Sequence, residues 1–89
     1  MPALSILDLA SVPSGANASQ ALNETTQMAI AAEQLGLNRM WVAEHHGMPG
    51  VASSAPAVLI AHLAARTTSL RIGSGGVMLP NHAPLVVAE

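Results

Sequence analysis

Apolar positions along this chain form short runs that alternate with longer, helically periodic stretches. Leu4-Ser5-Ile6-Leu7-Asp8-Leu9 is a short apolar run ending in turn-formers, which predicts a buried strand. Ser11 to Ser19, containing Pro13, Gly15 and Asn17, predicts a loop. Beyond it Leu22, Thr25, Met28, Ala29, Ala32 and Leu35 recur at spacings of three and four, the mark of a helix with one covered face. Asn17 with Gln20 three positions later is a capping-box pattern, and Gly36 stands where a left-handed C-terminal cap is wanted. Arg39-Met40-Trp41-Val42-Ala43 predicts a second strand, and Glu44 to Ser53, with Gly47, Pro49 and Gly50, a second loop. Ser53 or Ser54 then caps a second helix, with Pro56 in its first turn, running through Val58, Leu59, His62 and Leu63 to about Arg66. Leu70-Arg71-Ile72-Gly73 predicts a third strand, and Ala83 to Glu89 the start of a third helix.

The order is therefore β-α-β-α-β. Strand starts at 4, 39 and 70 are 35 and 31 residues apart. A (β/α)8 barrel of about 250 residues allots roughly 31 to each unit. Doubly wound sheets use similar units, so spacing by itself leaves both open. Either way the sheet is parallel, with right-handed crossovers.

Composition narrows the function. The 89 residues, read as one domain over 1–89, carry three arginines, no lysine, five acidic side chains and a net charge of −2. With one aromatic, Trp41, there is neither a phosphate-neutralising field nor a stacking surface for nucleic acid. The absence of cysteine removes disulfide scaffolds, Cys-ligated zinc and thiol nucleophiles. No apolar run approaches the roughly 18 residues of a membrane span, and no signal-peptide pattern opens the chain, so a cytoplasmic location is expected. Charged residues make up 9%, against roughly 25% in an ordinary soluble domain, while 51% are hydrophobic. Such faces predict cover by further chain. A non-catalytic interaction module buried in a partner has the same composition.

Chemistry in a parallel α/β sheet collects at the carboxyl ends of the strands. Three segments fall there: Asp8 to Ser11, Glu44 to Met48, and Ser74 to His82. The last two hold three of the four histidines and the glycine cluster. A histidine at such a position suits general acid–base work near neutral pH. Neighbouring side chains in extended chain point opposite ways, so at most one of His45 and His46 faces the barrel axis. Gly73-Ser74-Gly75-Gly76 lacks the full phosphate-loop pattern, but its bare backbone suits close approach of a flat ligand. A metal site from Glu44, His45, His46 and His82 needs a borrowed ligand, and adjacent histidines rarely share an ion, so no metal is expected. His62 is expected to be structural and His82 to order its loop. Met28, Met40 and Met78 are expected as core fillers, Trp41 between sheet and helices, and Arg66 and Arg71 on solvated faces.

Three runs together carry a resemblance. Trp41-Val42-Ala43-Glu44-His45-His46, then Ser54-Ala55-Pro56, then Leu70 to Pro84 with its G-x-G-G-x-x-L-P pattern resemble the bacterial luciferase-like flavin monooxygenases, and the likeness extends over essentially the whole chain. Leu7-Asp8-Leu9 and Val12-Pro13 match one branch of that family. The resemblance implies the first three units of an incomplete (β/α)8 TIM barrel, with reduced FMN delivered by a separate reductase, molecular oxygen, a small-molecule substrate, and a dimer at full length. It implies that His45 is the active-site histidine near the flavin. It groups Glu44, Gly75 and Gly76 with the cofactor contacts, and puts Gly75–Gly76 at a non-prolyl cis peptide beneath the ring. A related possibility is a deazaflavin-dependent hydride-transfer enzyme. Barrels of this kind hold the cofactor phosphate near strands seven and eight, which this sequence lacks. The 89 residues by themselves are thus expected to expose strand edges and to bind FMN weakly.

Overall fold

The computed structural model of the chain describes residues 2–89. In order, the elements are β1 (Ser5–Asp8), α1 (Ala18–Gln34), β2 (Arg39–Val42), α2 (Pro56–Ala65), β3 (Arg71–Ser74), a 3₁₀ turn (Leu79–Asn81) and α3 (Pro84–Ala88). The three strands form one parallel sheet in the order β1-β2-β3. Leu7, Trp41 and Gly73 share one register row, and Asp8, Val42 and Ser74 the next.

Local chemistry sets the ends of α1. Asn17 Oδ1 accepts from the Gln20 backbone N–H at 2.9 Å, and Gln20 Oε1 accepts from the Asn17 N–H at 2.9 Å, so two orphan donors are satisfied reciprocally. At the other end Gly36 adopts φ +76°, a left-handed value that glycine takes at little cost. There the Leu37 N–H reaches Ala32 O and the Gly36 N–H reaches Glu33 O, the paired bonds of a Schellman cap. The expected serine cap of α2 is not made. Its N-cap is Ala55 with Pro56 following, because the Ser53 hydroxyl donates instead to Ala43 O.

The helices cover one face of the sheet. Met40 and Val42 of β2 pack with Ala29 and Ala32 of α1, Leu59 and Leu63 of α2, and Leu70. Alanine on α1 lets the helix approach the strands closely. Glu33 ties this helix to the turn before β3, accepting backbone N–H bonds from Thr68, Ser69 and Leu70 at 2.6–3.1 Å. These bonds, those from Ser69 and Leu70 first, hold its carboxyl down to about 2.

Several expected core positions are not core. Met28, Leu35 and Met78 are exposed, whereas Ala21, Thr25, Thr26, Ala29 and Ala32 form the buried stripe of α1. The covered stripe is narrower than the apolar one, since small residues face the sheet and the larger ones lie to its sides. His62 is exposed on α2. Trp41 does not lie between sheet and helices. Strand alternation puts it opposite Met40 and Val42, on the uncovered face with Leu7 and Gly73, where Arg39 stacks on its ring at 4.7 Å. The Gly75–Gly76 peptide, expected cis, is trans like every other among the described residues. The trans form is the one favoured by about 3–4 kcal/mol for a non-prolyl bond. No helix among the described residues is long and apolar enough to cross a membrane.

Candidate active site

Two neighbouring strands end at one edge of the sheet, and the residues of interest leave from both. The ladder runs one step past the strands through a bond from Gly75 N–H to Val42 O at 2.7 Å. This fastens the start of the glycine segment directly beside Ala43 and Glu44. On the first side, the β1–α1 and β2–α2 loops pair with each other. Ser11 and Val51 form an antiparallel bridge, Val12 N–H reaches Gly50 O, and Ala52 N–H reaches Ala10 O. Ala10 takes φ +50°, unusual for a residue with a Cβ, and is buried there.

Burial falls steadily along residues 44–46. The Glu44 side chain is fully buried, His45 is half-buried and His46 is exposed. Glu44 Oε2 accepts from His46 Nε2 at 2.6 Å and from His82 Nε2 at 2.9 Å, and Oε1 accepts from the Met78 N–H at 3.1 Å. The bond to His46 comes first, followed by Met78 and His82, and together they outweigh burial and pull the Glu44 carboxyl down to about 2. Glu44 is therefore an ionised group whose two oxygens are both engaged by this chain. His82, expected to order its loop, does so through this carboxylate.

His45 is anchored by its main chain, its N–H donating to Ser53 O at 2.9 Å. Its ring nitrogen Nδ1 is buried and has no hydrogen-bond partner among the described residues. A buried polar atom without a partner is uncommon and calls for a ligand or further protein. Gly75 packs tightly, since a Cβ there would stand 2.8 Å from Leu7 Cδ1 and 3.4 Å from Val42 O. Gly76 is open. Together they present bare backbone next to the uncovered Leu7–Trp41 face. A groove of about 570 Å³ between α1 and α2, lined in part by Leu22, Thr26, Val58 and His62, reaches Ser53 but includes neither Glu44, His45 nor the glycines.

Sequence reading misses Ser53 and Ala10. Ser53 is buried and bonds both main-chain segments that hold His45, through its hydroxyl to Ala43 O and its carbonyl to His45 N–H. Its only sequence signal, a helix-cap pattern, points elsewhere.

A parallel βαβαβ sheet with imidazoles, a buried carboxylate and a glycine segment at its carboxyl edge defines an α/β protein with its polar residues where such sheets carry their sites. The family profile described as Luciferase-like monooxygenase matches residues 3–89, and the chain belongs to that family. It is 56% identical over 87 residues to a luciferase-like monooxygenase of Escherichia coli strain K12, which covers 98% of this chain and 26% of that protein. Among solved structures, apo-MsnO8 superposes with a TM-score of 0.94 at 42% identity, covering 99% of this chain and 27% of the other. The oxygenating constituent of 3,6-diketocamphane monooxygenase from Pseudomonas putida, a type II Baeyer–Villiger monooxygenase solved with FMN, shares the fold with a TM-score of 0.89 at 22% identity. It covers 99% of this chain and 24% of its own. The chain spans about a quarter of the length of the relatives it matches.

Proposed function

We propose that these residues are the first three βα units, a single domain segment over 1–89, of an FMN-dependent monooxygenase. It acts on a small-molecule substrate paired with molecular oxygen. The observation that carries this reading is the buried, unpartnered His45 Nδ1 on a segment that leaves the same carboxyl end of the sheet as the bare Gly75–Gly76 backbone. Membership of the luciferase-like family and the FMN held by a protein of the same fold support it. The same reading brings a separate flavin reductase, a dimeric full-length protein and a cytoplasmic location.

The residues present fit a flavin on this geometry. Gly75 and Gly76 would lie against the ring, where side chains would hold it off, and His45 Nδ1 would gain the partner it lacks. When bound, reduced FMN supplies the electrons and the activation of oxygen. His45 holds or moves a proton at Nδ1, with its backbone fixed by the bond from its N–H to Ser53 O. Leu7 and the Trp41 ring, neighbours in register on the uncovered face, would offer the ring an apolar wall on that side.

The test is His45→Ala in the full-length protein, at matched flavin occupancy. Turnover should fall on the order of 100-fold or more, the contribution of a positioned acid–base group, while thermal stability holds. Undiminished turnover would remove His45 from the chemistry. Absorbance of the cofactor released from the purified protein separates FMN from a deazaflavin.

A further inference from the structure

We propose that Glu44 is a positioning residue, a carboxylate latch that sets the backbone of residues 75–83 against the end of β2. The proposal rests on the flavin reading above and assigns Glu44 a part in it other than contact with the cofactor. Both carboxylate oxygens already serve protein donors 2, 34 and 38 residues away along the chain: His46, Met78 and His82. A side chain with no exposed surface and both oxygens engaged has no face left for a ligand.

What Glu44 holds is otherwise loosely attached. Residues 75–81 are all exposed, so apolar burial does little to fix them. Among the described residues their remaining hydrogen bonds are local, from Leu79 to Val77, Asn81 to Met78, His82 to Leu79, and between Ser74 and Gly76. The bond from Gly75 N–H to Val42 O anchors the start of the segment. Beyond it, the ties back to the sheet run through Glu44. Two imidazoles share one oxygen, so each presents an Nε2–H to it, and the Met78 N–H takes the other. Two donors from the segment, Met78 and His82, and one from the β2–α2 loop, His46, converge on one carboxylate, and Gly76 lies between the bond of Gly75 to Val42 and that of Met78 to Glu44.

The experiment compares Glu44→Ala, Glu44→Gln and His82→Ala in the full-length protein. Amide exchange is measured first without flavin, and FMN affinity separately. Glu44→Ala should speed exchange at residues 76–82 on the order of 10- to 100-fold, the factor expected for losing a hydrogen bond to a charged group. Strand amides should keep their protection, and FMN affinity should weaken about tenfold by the same loosening. Glu44→Gln keeps an acceptor for Met78 N–H and should restore part of both effects. Should Glu44→Ala not fold, His82→Ala removes one donor and is read in the same way. Unchanged exchange at 76–82 overturns the latch, as does weakened FMN binding with the segment still protected, which would make Glu44 a direct contact. If the wild-type protein takes up no FMN, the flavin reading fails, while the flavin-free exchange still judges the latch.

Discussion

Gly73→Ala tests the placement of Trp41 on the uncovered face of the sheet. A Cβ at position 73 would stand 2.9 Å from Trp41 Cζ3 and 3.2 Å from Cε3. Those are atoms of a rigid ring rather than the tip of a flexible chain, and Arg39 stacks on that ring at 4.7 Å. Overpacking of this kind costs about 1–3 kcal/mol. Against it stands a gain of about 0.4–1 kcal/mol from a stiffer unfolded chain. The net expectation is a destabilisation of about 1–2 kcal/mol, read by urea denaturation of the full-length protein. Trp41→Leu removes the ring, so Gly73→Ala in that background should be neutral or slightly stabilising. A double-mutant cycle then returns a coupling of about 1–2 kcal/mol, within the range for contacting residues. An equal cost in both backgrounds, or none in either, would refute the placement.

Leu63 is fully buried in the core, and Leu63→Ala should cost about 2–5 kcal/mol in the same denaturation assay. Asn17→Ala breaks the capping box of α1 and should cost about 1 kcal/mol, with a fall in helical circular dichroism confined to modest size. Glu33 and Glu44 both titrate at about 2 when folded, below the ordinary 4.5, so the folded protein binds fewer protons in that window. Their contribution to stability is complete above about pH 4.5 and is lost as pH falls toward 2. Melting temperature followed over that interval should drop, and Glu33→Gln should flatten the drop; parallel curves for variant and wild type would contradict the assignment.

The fold was legible wherever its cause is local. Asn17, Gln20 and Gly36 mark the ends of α1 through bonds spanning three to five residues, and the structure makes each of them. The parallel direction of the strands follows from the spacing of apolar runs and the helices between them. Burial was less legible. Periodicity finds the apolar stripe of α1, but which of its residues meets the sheet depends on how closely the helix approaches, and alanine and threonine win over Met28 and Leu35. Trp41 shows the same limit, because alternation says that it opposes Met40 without saying which face the helices cover. The candidate site was half legible. Position at the strand ends selects the histidines and the glycines, and only the family resemblance singles out His45; the bonds that tie Glu44 to Met78 and His82 span 34 and 38 residues, beyond any local pattern. The left-handed backbone at Ala10 has no sequence signal at all.

The bridge between Ser11 and Val51, flanked by bonds from Val12 to Gly50 and from Ala52 to Ala10, joins two connecting segments into one piece. Barrel enzymes vary their chemistry through the loops that follow their strands. Here a graft of residues 10–16 alone would leave its complement at 47–52 facing a stranger. Chimaeras should therefore import both segments from the same donor, and a library that diversifies them jointly should retain more folded members than one that varies either in isolation.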